Sequence, residues 1–151
     1  MRHNNRWLIL VLIISSLLFA ACSGAANETG KTEPASVEPI EGTDLNRVTL
    51  TEKAAQRLQI ESSPVGEEQS PRSGAMQMAV PYSAVIYDLN GDTWVYTRNP
   101  GPESLTFERE SITIDYIEGD LAFVSEGPAL GTEVATVAVA ELYGIDTGVG
   151  K

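Results

Sequence analysis

Histidine and cysteine are almost missing from this sequence of 151 residues, which holds one of each, His3 and Cys22. From Ser23 onward, therefore, no side chain can act as an imidazole base or a thiolate nucleophile. That excludes Ser–His and Cys–His catalysis from most of the chain, together with zinc sites built on His or Cys. General acid–base work would fall to carboxylates, tyrosine or lysine alone, and no such constellation stands out. No catalytic residue, metal ligand or cofactor is assigned, and the chain is not expected to be an enzyme. With one cysteine there is also no internal disulfide. Positive charge is scarce. Ten Lys and Arg face 21 Asp and Glu, a net charge of −11, and two of the basic residues, Arg2 and Arg6, lie at the extreme N-terminus. An acidic surface without a Lys/Arg cluster repels phosphate backbones, so nucleic acid is not an expected partner. Long apolar runs are scarce too. The only one, residues 7–19, is shorter than the ~20 residues a membrane-spanning helix needs.

That run reads as a targeting signal. Arg2 and Arg6 form a basic n-region, residues 7–19 an apolar h-region, and small residues follow. It ends at Phe19-Ala20-Ala21-Cys22-Ser23-Gly24, which resembles the lipobox of bacterial lipoproteins with Phe19 in place of the usual Leu. The resemblance implies that residues 1–21 are removed as a signal peptide and that Cys22 becomes a lipidated N-terminus. Membrane lipid is then a partner through Cys22. The expected location is the extracytoplasmic or periplasmic side of the cell membrane or envelope.

Residues 22–46 are rich in Gly, Ala, Glu, Thr and Pro with few large apolar side chains, and read as a flexible tether. A folded domain is expected over residues 47–146, with a disordered tail over 147–151. Val48 and Leu50 alternate as in a strand. Thr51 is placed to N-cap a short helical turn over residues 52–58, and an extended piece follows at 60–65. "GEEQSPRSGAMQM", residues 66–78, reads as a polar loop. From Ala79 onward short strands recur with turn signals between them and no convincing long helix. The expected fold is a single all-β domain, a small barrel or sandwich of about six to seven short antiparallel strands.

Asp88, Asn90 and Asp92 alternate around Gly91 as at the start of a calcium loop, but position six is Thr93 and position twelve is Asn99. Both the turn glycine and the closing ligand of that loop are therefore missing. Asn90-Gly91 between two apolar, β-branched and aromatic runs instead predicts a hairpin with positive φ at both turn residues, in which the carboxylates of Asp88 and Asp92 contribute little. Met76 and Met78 are thioethers of the kind that bind Cu(I), yet two are too few for a site and read as packing residues. Asp115, Glu118 and Asp120 bracket a turn at Gly119 and read as solvated turn residues. The alternating Trp94 and Tyr96 read as core.

"VPYSAVIYDLNGDTWVY" resembles the C-terminal region of periplasmic adaptor subunits, the membrane fusion proteins of resistance-nodulation-division efflux pumps. That region typically reads Val-Pro-x-x-Ala-Val, a turn with Gly, then a Val-Tyr-Val strand. "TFERESITI" and "FVSEGPALGTEVATVAVAEL" resemble its following strand and closing segment, and "VTLTEKAAQRLQIESSPV" resembles the opening strand and turn. Together these cover residues 48 to about 145. Pro128 stands for the Leu of a Gly-Leu turn, and Ala138 and Asp115 stand where Gly is usual. The β-barrel, lipoyl-like domain and helical hairpin that adaptors insert are absent, and only residues 66–78 stand in their place. The resemblance implies a membrane-proximal adaptor domain in truncated form, a non-catalytic module binding an inner-membrane transporter or a full-length adaptor. The alternative expectation is a lipoprotein that binds a small ligand or a metal ion.

Overall fold

A computed structural model of the chain describes residues 33–100 and 104–148. The expected signal peptide, Cys22, the first part of the expected tether and residues 149–151 lie outside them.

The first described element falls inside the expected tether. Strand β1 (Ala35–Pro39) pairs antiparallel with β2 (Asn46–Leu50), Val37 opposite Val48. The turn between them is closed by Ile40 N donating to Leu45 O at 3.0 Å. The tether reading therefore fails from Ala35 onward. β1 is an edge strand held by backbone pairing and exposed along most of its length, so its composition carries none of the apolar pattern by which strands are recognised.

Helix α1 (Glu52–Leu58) starts as expected, with the Thr51 hydroxyl accepting from Ala54 N at 3.2 Å. Buried Ala54 and Ala55 form its inner face. β3 (Ser62–Pro64), β4 (Gly66–Gln69) and β5 (Met76–Pro81) follow. Residues 66–78 are thus not a loop. β4 and β5 form a hairpin, Gly66 opposite Ala79 and Gln69 opposite Met76. β4 is polar because it is an exposed edge. A 3-10 turn at Tyr82–Ala84 leads to β6 (Ile86–Tyr87) and β7 (Thr93–Arg98), and β8 (Thr106–Ser111), β9 (Thr113–Glu118), β10 (Leu121–Glu126) and β11 (Glu133–Ala135) complete the strands. Helix α2 (Val139–Thr147) closes the described chain, where no helix was expected, and Thr147, placed in the disordered tail by the sequence, is its last residue.

The domain is all-β with a sandwich-like build. One seven-stranded sheet runs β1-β2-β8-β7-β11-β3 with β6 on β7, and the other runs β4-β5-β10-β9. Both sheets have open edges, so no closed barrel forms. The eleven strands among the described residues exceed the six or seven expected because β1 and β4 carry no apolar pattern and because the runs over residues 76–87 and 106–118 each divide into two strands. Segments from both chain ends share the larger sheet: residues 47–49 pair with 106–108, and 62–64 with 133–135.

Strand alternation gives this sheet two apolar faces. Val48, Leu50, Tyr96, Phe107 and Ala135 join α1 and α2 in one core. Their neighbours Val95 and Val134 join Val80, Ala122 and Val124 in a second core against the smaller sheet. Buried Ile112 lies at the crossing between β8 in one sheet and β9 in the other.

Ala138, where the adaptor pattern has Gly, enters α2 at φ 61° and ψ 27°. A Cβ in this left-handed region costs about 1–2 kcal/mol, and Gly gives part of that back as greater unfolded-state entropy. Ala138→Gly is expected to stabilise the domain by roughly 0.5–1 kcal/mol. A melting temperature that is unchanged or lower contradicts this.

Candidate functional site

Three polar features are built on the larger sheet. The first is an open cleft of about 720 Å³ at the end of β7, lined by Thr97, Asn99, Glu110, Leu130 and Glu133 among others. The turn that carries Leu130 is pinned to the chain after β3: Gly131 N donates to Val65 O at 2.8 Å, and Val65 N to Thr132 O at 2.9 Å. On the same side Arg98 Nε donates to Ser104 O at 2.6 Å. Glu110 stands on the exposed side of β8, and its partial burial pushes its carboxyl above the usual range. Two carboxylates and the Arg98 guanidinium beside a half-exposed Leu130 give the cleft charges of both signs next to an apolar group, which suits a small zwitterionic or amphipathic molecule. Among the described residues no activated nucleophile lines the cleft.

The second feature is buried. Asp146 on α2 has no exposed side-chain surface. Its Oδ2 accepts from the Tyr96 hydroxyl at 2.6 Å and lies 3.4 Å from Arg109 Nε, while Oδ1 accepts from Asn46 Nδ2 at 2.9 Å. The Arg109 guanidinium stacks over Trp94, 4.7 Å from the ring centroid. Burial, and then the hydrogen bond to the carboxylate, hold the Tyr96 phenol well above its usual range. The group joins β2, β7 and β8 to α2. Arg109 Nε is buried and makes no hydrogen bond, so it is held by charge while Tyr96 and Asn46 hold the carboxylate by hydrogen bonds, and the group is a structural clamp.

The third feature is the hairpin of Asp88, Asn90 and Asp92. It turns the chain as expected, with Tyr87 opposite Thr93, but by another turn. Only Gly91 takes positive φ, at 88°, and the closing pair is Asp88 and Asp92, with Asp88 N donating to Asp92 O at 3.0 Å. The Asp88 carboxylate organises the loop. It accepts from Asn90 N at 2.8 Å, Asp92 N at 3.0 Å and Trp94 Nε1 at 3.2 Å. The expectation that both carboxylates contribute little therefore fails for Asp88. An Asx-type side chain that captures the loop N–H groups favours this wider turn over a two-residue one.

Desolvation acts to raise the Asp88 carboxyl, but these hydrogen bonds outweigh it and hold it below its usual value. A carboxyl lowered in the native state stabilises it fully above the unfolded value near ~3.9 and stops doing so as pH falls through the native value. The Trp94 indole N–H resonance should therefore be steady above about pH 5 and shift upon acidification below ~3.9. Asp88→Ala should lower the melting temperature and abolish that shift, whereas Asp92→Ala should leave both in place. An indole resonance that ignores Asp88→Ala contradicts this arrangement.

The other residues singled out in the sequence do not converge. Cys22 lies outside the described residues. Met78 packs against the second core while Met76 is exposed. Asp115 accepts from Gln77 Nε2 at 2.6 Å, and Glu118 and Asp120 flank Gly119, whose φ is 58°. Trp94 is half-buried and Tyr96 fully buried. Nothing in the sequence marks Asp146 or Glu133, because one is an isolated acidic residue at the very end of the expected domain and the other lies in a turn-rich stretch with no spacing signal. Among the described residues no group of three or more acidic, His or Cys side chains is placed to hold a metal ion, and no helix is long and apolar enough to cross a membrane. Comparison with protein-family models, with curated proteins and with solved structures finds no match to this chain.

Proposed function

We propose that the chain is a lipid-anchored, extracytoplasmic protein-binding module that docks on a membrane transporter or a full-length adaptor and performs no chemistry of its own. The observation that carries this reading is Cys22 directly after a basic n-region, an apolar run and the small residues Ala20 and Ala21. A mature lipoprotein bears more than one acyl chain, which makes anchoring stable. The adaptor-like reading draws support from the strand order. Early and late segments share one sheet, and between β3 and β6 the chain makes the β4–β5 hairpin, whose turn residues 71–75 are exposed. An insertion at that turn, as the resemblance to longer adaptors implies, would leave both cores intact.

The test is recovery of the full, lipidated chain from detergent-solubilised membranes. An integral transporter or an adaptor in stoichiometric amount is the expected companion. A second reading, favoured by the cleft with Glu110 and Glu133, is a small-ligand lipoprotein. A chain that comes down alone and carries a small molecule in native mass spectrometry supports that reading instead.

A further inference from the structure

Leu89 is 98% exposed at the tip of the β6–β7 hairpin, and Tyr87 and Tyr82 beside it are 50% and 41% exposed. The Asp88 carboxylate holds the loop backbone from within. We propose that Leu89, Tyr87 and Tyr82 form a lipid-contacting tip that dips into the interfacial layer of a zwitterionic membrane and orients the anchored domain. The inference rests on the anchored reading above.

Size separates a membrane from a protein socket. A fully buried aromatic side chain contributes about 150–250 Å², and two half-exposed tyrosines with one leucine fall well short of the ~800 Å² per partner of a stable protein interface. A bilayer needs no matching shape, and a chain already held by acyl groups needs only a weak second contact. Tyrosine suits that position because its ring is apolar and its hydroxyl stays wet. Charge decides the kind of surface. Residues 82–97 contain no Lys or Arg, Asp92 lies in the loop, and Tyr82 N donates to Asp120 O at 2.8 Å, bringing another acidic residue close. Anionic headgroups are repelled and zwitterionic ones are not.

The test places an environment-sensitive nitrobenzoxadiazole label on Asn90→Cys or, as a control, on Glu38→Cys, in the full chain held on phosphatidylcholine vesicles. The expected result at residue 90 is a blue shift, a several-fold gain in intensity and quenching by doxyl-labelled lipid. The label at residue 38 stays in water. Adding the fully exposed change Leu89→Asp should remove the response at 90, and phosphatidylglycerol vesicles at low salt should weaken it. Water-like emission at 90, or a response indifferent to Leu89→Asp, overturns the proposal. So does shielding seen only in native membranes, which assigns the tip to a protein socket. Acylation is read separately by palmitate incorporation. A Cys22→Ala chain held by an N-terminal histidine tag on nickel-chelating lipid gives the same comparison, so loss of the anchor and loss of the tip contact are distinguishable.

Discussion

Asp146→Ala is expected to cost about 3–5 kcal/mol, since removing one partner of a buried ion pair leaves the other charge uncompensated. Arg109 would keep its guanidinium beneath the sheet with no carboxylate, and Tyr96 and Asn46 would each lose an acceptor. Against a total of roughly 5–15 kcal/mol for a domain, this is enough to leave the protein marginally folded. Tyr96→Phe removes one hydrogen bond and should cost far less, about 1–3 kcal/mol. Urea unfolding followed by circular dichroism measures both. A cost below about 1 kcal/mol for Asp146→Ala, within the range of an ordinary surface pair, would mean that the clamp does not hold α2. The raised Tyr96 phenol adds a pH dependence. Its contribution is complete below the unfolded value near ~10 and is lost as pH rises beyond it, so alkaline destabilisation should be smaller in Tyr96→Phe.

A chain beginning at residue 66 is expected to aggregate or to unfold without cooperativity, whereas one beginning at residue 33 should melt in a single transition. The deletion removes β1, β2, α1 and β3. It strips pairing from β8 and from β11, leaving two raw edges in one sheet. It also uncovers Tyr96, Phe107 and Leu142, which pack with Val48, Leu50, Ala54 and Ala55. Differential scanning calorimetry of the two chains measures the contrast. If residues 66–148 alone are soluble and fold cooperatively, the early segment is an appendage and not half of the sheet.

Where a residue's local chemistry settles its conformation, the sequence was readable. Thr51 announces a helix start because its hydroxyl has one good use there, and Gly91 announces a turn because it alone accepts positive φ cheaply. Trp94, Val95 and Tyr96 reveal a strand because both faces are wanted by a core. Reading failed where tertiary pairing supplies the stability. β1 and β4 are polar edges whose backbone bonds go to a neighbour that no local pattern names. α2 was hidden by Val139, Gly144, Ile145 and Thr147, which are poor helix formers, and its helix is held by Leu142 in the core and Asp146 in the clamp. The cleft was illegible for the same reason, since it brings together β7, β8 and a turn that starts nearly twenty residues after Glu110.

The reading of the chain as an anchored docking module stands on Cys22, so the most direct measurement is labelled palmitate incorporation in cells making the full chain or its Cys22→Ala variant. The expected result is label in the first and none in the second, with altered processing of the variant precursor. Equal incorporation by both, or none in either, contradicts a lipid anchor at Cys22.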